Sequence, residues 1–169
     1  MSDYSNQSLE GANFAGANLQ RARFRNADLV GANFQSANLQ GAVLKQANAA
    51  RANFQGATFY RALCAGGIFY EADFSNADLS GADFKNADLR NANLSGANLL
   101  EARVSGTDFS GANLDGAQLF RCLDSSKTIW PIGYSRQGDE RLPFSRCAYL
   151  NRGRQRHTPP PSGRRSQFP

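Results

Sequence analysis

The side chains of this 169-residue chain that could carry chemistry are 14 carboxylates, 19 Lys and Arg, three cysteines and one histidine. A catalytic site needs titratable groups that converge in a pocket. Here His157 stands in an Arg- and Pro-rich terminal stretch, and Asp73, Asp78, Asp83 and Asp88 recur at a strict interval. There is no G-x-x-x-x-G-K-[ST] and no G-x-G-x-x-G in the context that would cradle a phosphate. Cys64, Cys122 and Cys147 have no metal-ligand spacing, and their odd number suits a reducing compartment. The chain is therefore read as no enzyme, with no catalytic residue, cofactor or metal. What remains is recognition: phosphate contacts by Arg23, Arg25, Lys45, Lys85 and Arg103, or apolar contact by large residues that face outward.

Which residues face outward follows from a period of five. In Glu71–Leu100 an alanine stands at 72, 77, 82, 87, 92 and 97, with Phe or Leu two places later and Asp or Asn between. A helix repeats near 3.6 and a half-buried strand at 2, so neither template fits, and the chain is read as a repeat architecture. The large apolar centres run unbroken from Leu9 to Leu119, 23 units, with Ala49, Cys64 and Val104 as the exceptions to Leu or Phe. If each centre points inward, the residue two before it shares that side and the Asn or Asp between them faces out. Alanine leaves room for the neighbouring Leu or Phe, Asn and Asp bond their own backbone at bends, and the frequent Gly two after the centre accepts a positive φ.

These units resemble the pentapeptide-repeat family, whose signature is A-(D/N)-L-x-x, over about residues 7–121. The resemblance implies an all-β fold, a right-handed quadrilateral β-helix with four units per coil. On that count 23 units make about 5.75 coils, a rod of roughly 28 Å at the strand spacing of about 4.8 Å. Two of the inward columns would then be Phe14, Phe34, Phe54, Phe74, Leu94, Leu114 and Leu19, Leu39, Phe59, Leu79, Leu99, Leu119. Cys64 and Cys122 would lie about three coils apart, too far for a disulfide.

The rest of the chain divides around this frame. Residues 1–6 read as a flexible N-terminus, 7–121 as the β-helix, 122–150 as a capping segment and 151–169 as a disordered basic tail. Leu123–Tyr134 resembles the closing segment that follows cyanobacterial pentapeptide repeats, T-x-W/F-P-x-G-F, and Ile129 and Trp130 are expected over or beside the last coil. A solenoid end needs such a cover. Pro143–Leu150 reads as one or two helical turns. Residues 6–121 carry ten acids and ten bases, whereas 122–169 carry three acids and nine bases, so the basic charge belongs to the tail. The polar start offers no signal peptide and no run offers a membrane span, so a cytoplasmic location is expected.

The leading reading is a non-catalytic scaffold for protein–protein contact or self-association, its partner an unidentified protein or a second copy. A DNA-mimic binder of DNA gyrase or topoisomerase is the alternative that the family resemblance supplies. It needs long acidic columns, but the rod is neutral and Asp73, Asp78, Asp83 and Asp88 would fall on four successive faces. Nucleic acid is the weaker alternative, since the basic face and tail read better as a solvated face and a solubilising tail. The candidate interaction patch is where the outward pattern lapses: Leu63 and Ile68 replace Asn or Asp, Tyr60 and Tyr70 follow their centres, and Val43 lies one coil from Leu63. Two other readings stay open. The lapse is a scar between two joined repeat runs, flanked by Ala49, Cys64 and Gly66-Gly67, or the C-terminal segment covers it.

Overall fold

Three residues of extended chain followed by a two-residue corner make one unit, and the computed structural model, which describes residues 1–134, shows this pattern without a break through the repeats. Around Ala52-Asn53-Phe54 the corner is Gln55-Gly56, closed by the Ala57 N–H donating to the Phe54 carbonyl at 3.0 Å. From Asn6 to Arg121 every fifth residue has a φ between +53° and +73°. Glycine or asparagine takes many of these corners at little cost. Arg21, Gln46, Arg51, Glu71 and Glu101 adopt the same left-handed conformation at a cost of roughly 1–2 kcal/mol each, so the stack imposes the corner even where the residue resists it.

Parallel bridges join each outward residue to the one 20 further on, from Asp3↔Arg23 to Arg103↔Leu123. Four units therefore close one coil, and the chain is a quadrilateral β-helix. Three hydrogen bonds per unit tie neighbouring coils. Phe54 N–H donates to the Asp73 carbonyl at 2.7 Å, Asp73 N–H to the Ala52 carbonyl at 3.0 Å, and Gly56 N–H to the Ser75 carbonyl at 2.9 Å. The outward Asn or Asp braces the corner that follows it. Its Oδ1 accepts the N–H two residues on, as in Gln55 to Asn53 at 3.0 Å and Ser75 to Asp73 at 2.8 Å. Some also bond along the column, such as Asn93 Nδ2 to Asp73 Oδ1 at 3.1 Å.

The interior is a set of stacked columns. Phe14, Phe34, Phe54 and Phe74 lie ring over ring with centroids 4.9, 5.0 and 4.8 Å apart. Leu94 and Leu114 continue that column, and Leu19, Leu39, Phe59, Leu79, Leu99 and Leu119 form the next; all of these except Phe14 are buried. Phe14 is half-buried because it belongs to the first coil and has neighbours on one side alone. The small centres are packed too, Ala49, Cys64 and Val104 being fully buried. Burial pushes the Cys64 thiol well up. Thr107, which replaces an inner alanine, donates its hydroxyl to the Phe84 carbonyl at 2.7 Å.

Two boundaries differ from expectation. Residues 1–6 are not a loose leader: Asp3 bridges Arg23, Asn6 takes a corner φ of 59°, and the Tyr4 ring stacks on Phe24 at 4.8 Å. Tyr4 fills the site of a centre although it is neither Leu nor Phe and Ser2 stands at the inner position. At the other end the coil runs past 121 into the expected cap. Cys122 is buried, Leu123 bridges Arg103, and after one extra residue Ile129 bridges Asp108. Thr128 fastens this turn, its hydroxyl donating to the Val104 carbonyl at 2.9 Å and accepting the Gly106 N–H at 3.2 Å. Ile129 therefore contributes backbone to the ladder while its side chain is half exposed. Trp130 lies on the core, stacked on Phe109 at 4.9 Å and under Tyr134 at 4.8 Å. The expected helix at 143–150, Cys147 and the basic tail lie outside the described residues.

Candidate functional site

Each outward position that is neither Asn nor Asp gives up the side-chain acceptor for its corner. At 43, 63 and 68 the residues are Val, Leu and Ile. Each forgoes a hydrogen bond with a net contribution of about 0.5–1.5 kcal/mol and sets an aliphatic group toward water. Val43 and Leu63 are bridged neighbours on one face; Ile68 is on the next, bridged to Asn48 and Asp88. The corner between the two faces is Ala65-Gly66, too small to hide either side chain. Leu63 is 36% and Ile68 44% exposed.

Tyr60 and Tyr70 occupy the corners on either side of this pair and are half-buried. Their rings are not bare. Arg61 stands over Tyr60 at 5.0 Å and Arg90 over Tyr70 at 5.6 Å, cation–π contacts in both cases. Arg90 is itself clamped by two bonds to Asp88, at 2.9 and 2.7 Å. The same clamp holds the Asp88 carboxyl below its usual range and raises Arg90. Arg51 donates to Glu71 at 2.9 Å and, with the Tyr70 hydroxyl, lowers that carboxyl. The structure thus brings Val43, Leu63 and Ile68 together around one corner, with Tyr60 and Tyr70 at its margins.

The expected basic face resolves into two adjoining columns. Arg23 and Arg103 share the face of Val43, Leu63 and Asp83, whereas Arg25, Lys45 and Lys85 stack in the corner beside it. The basic residues and the apolar band are therefore one surface. Treating them as separate features missed this, although the spacing of 20 between Arg23, Val43 and Leu63 carries the signal. The acids tell a different story. Asp73, Asp78, Asp83, Asp88 and Asp108 each accept a corner N–H, which makes them part of the scaffold. Among the described residues no group of His, Cys, Asp and Glu could hold a metal ion, and no helix is long and apolar enough to cross a membrane.

Known proteins share these repeats. The family model for pentapeptide repeats matches in eight copies, over residues 8–46, 27–63, 68–99 and 87–123. Among solved structures, HetL, a pentapeptide repeat protein involved in heterocyst differentiation regulation from the cyanobacterium Nostoc sp. strain PCC 7120, is 31% identical. That likeness covers 72% of this chain and 63% of HetL, with a TM-score of 0.45, so the chain spans less than two thirds of that relative. Rfr23, from the cyanobacterium Cyanothece 51142, is 31% identical over 54% of this chain and 66% of its own, with a TM-score of 0.32. QnrB1, a plasmid-mediated fluoroquinolone resistance protein, is 19% identical in a trypsin-treated form, over 78% of this chain and 84% of its own, with a TM-score of 0.33. A comparison with curated protein sequences gives no match. Pentapeptide-repeat proteins adopt the right-handed quadrilateral β-helix, and with the repeat model matching well over half of its residues this chain belongs to the pentapeptide-repeat family.

Proposed function

We propose that this protein is a non-catalytic scaffold that binds another protein, or a second copy of itself, through the band of Val43, Tyr60, Leu63, Ile68 and Tyr70. The observation that carries this reading is the triple loss of the corner acceptor at 43, 63 and 68. The acceptor is also absent at Arg23, Thr58, Arg103 and Gln118, but at 43, 63 and 68 neighbouring solvent-facing aliphatic groups replace it, and such conflicts concentrate at functional sites. Contiguous apolar patches rimmed by polar residues mark interaction surfaces, in which Tyr is favoured. On this reading the rod, with Tyr4 counted as a further centre, has six coils in place of about 5.75, and Trp130 and Tyr134 are its cap. A cytoplasmic location fits its odd cysteine count.

A DNA-mimicking role against gyrase draws less support. It needs free acidic columns, whereas the carboxylates here are tied into corners. The test of the scaffold reading is Leu63→Asp with Ile68→Asp. Light scattering on the purified protein and photo-crosslinking from position 60 or 70 in the native cell report self-association and partner capture. Both residues are exposed, so the double variant is expected to melt normally and to lose whichever association the wild type shows. A folded double variant that keeps every association overturns the assignment.

A further inference from the structure

Val43 and Leu63 form part of a groove of about 380 Å³ whose other walls are Asp3, Ser5, Arg23, Arg25 and Lys45. The repeat explains why these groups meet. Arg23, Val43 and Leu63 follow one another up a face, and Arg25 and Lys45 fill the adjoining corner two residues along. Arg25 and Lys45 have no ion-pair partner among the described residues, where the pairs are Arg23–Asp3, Arg51–Glu71, Arg90–Asp88 and Arg121–Glu101. Arg23 reaches Asp3 at 3.8 Å with both side chains more than half exposed, a contact weak enough to exchange. Three cations thus line the groove against the single carboxylate of Asp3, beside the aliphatic groups of Val43 and Leu63.

Resting on the reading of the band as a binding surface, we propose that this groove receives an acidic segment of a partner protein. Carboxylates of that segment pair with Arg23, Arg25 and Lys45, and an adjoining aliphatic or aromatic side chain lies over Val43 and Leu63. Charge selects this occupant over the others. Two copies meeting about a two-fold axis would set the three cations against their own counterparts, and like-charge contact is costly. Residues 135–169 of the chain itself carry eight Arg against Asp139 and Glu140, the wrong sign for the groove. Single-stranded nucleic acid would satisfy the cations, but its binding sites join a basic groove to open aromatic rings on which bases stack. The two rings of the band, Tyr60 and Tyr70, already lie under Arg61 and Arg90. An acidic peptide with an apolar anchor uses both halves of the surface, and arginine binds carboxylate in a two-pronged, directional way.

The test is selection of a random displayed-peptide library on the full-length protein, followed by synthesis of the enriched peptides and anisotropy titrations at low and raised salt. Enriched peptides are expected to carry Asp or Glu beside Leu, Ile or Phe, to bind less tightly as salt rises, and to weaken at least about tenfold on Arg25→Glu with Lys45→Glu. Arg25→Gln with Lys45→Gln is expected to weaken them by a smaller factor, and serves if charge reversal disturbs folding. Acidic peptides that bind the reversed variant equally well would be held by other cations, and the proposal fails. Apolar peptides indifferent to the charge variants, yet lost on Leu63→Asp with Ile68→Asp, overturn the groove and leave the band standing. Peptides indifferent to both pairs overturn both. A single-stranded oligonucleotide that binds more tightly than every enriched peptide, and is lost on charge reversal, overturns it in favour of nucleic acid.

Discussion

Gly67 stands where nearly every other unit has an inner alanine, and its φ lies outside the left-handed region, so the repeat pattern alone recommends Gly67→Ala. On backbone grounds that change gains about 0.4–1 kcal/mol by restricting the unfolded chain. The structure reverses the sign. A Cβ at Gly67 would lie 2.7 Å from Cε2 of Phe69 and 3.1 Å from the Cys64 carbonyl oxygen. The Phe69 ring cannot swing aside: it is fully buried and packs edge-on to Phe74 at 5.6 Å and Phe84 at 5.5 Å. Overpacking of this kind costs about 1–3 kcal/mol. At mid-range the cost of about 2 kcal/mol outweighs the gain of about 0.7 and leaves a net loss of about 1.3 kcal/mol, a fall in Tm of roughly 3–8 °C. Guanidinium titrations of wild type, Gly67→Ala, Phe69→Leu and the double variant, followed by circular dichroism, close a double-mutant cycle. In the Phe69→Leu background the ring is gone, so the alanine is expected to be neutral or stabilising. A Gly67→Ala protein as stable as the wild type, or a penalty that survives the loss of the ring, would refute the reasoning.

Two further predictions rest on named contacts. Phe54→Ala removes a fully buried ring that meets Phe34, Phe59 and Phe74 within 5.0 Å, and is expected to cost about 3–5 kcal/mol. Phe14→Ala, in the half-buried first coil, should cost clearly less, and equal midpoints in denaturant would contradict the columnar core. The third concerns pH. Arg90 holds the Asp88 carboxyl below its ordinary value, so its contribution is complete above the unfolded pKa near 3.9 and is lost as pH falls through the lower folded value. Arg90→Gln should therefore lower stability at neutral pH only slightly, since Arg90 is half exposed and the pair is screened by solvent. The gap to wild type should close in acid; a gap that widened there would reverse the sign argued here.

The period of five, read without any structure, was enough to place the inner alanines and their Leu and Phe partners on one side and Asn or Asp on the other. Neither a helix nor a flat strand sets a centre inward every fifth residue for 23 units. It also marked Leu63 and Ile68 as misfits, because an aliphatic residue is conspicuous in a column of Asn and Asp. Closure was not legible in this way. That four units and not three or five complete a coil depends on parallel bridges between residues 20 apart, and the period of five is silent about them. Tyr4 escaped the pattern because it is neither Leu nor Phe and Ser2 replaces the inner alanine, while its ring still fits over Phe24. The glycine at 67 looked like an irregularity until the position of the Phe69 ring gave it a steric cause. Most of all, Arg23, Arg25 and Lys45 joined Val43 and Leu63 in one groove only when the coils were stacked. A repeat sequence determines which side of the chain each residue faces, and the three-dimensional stack decides which outward residues stand beside one another.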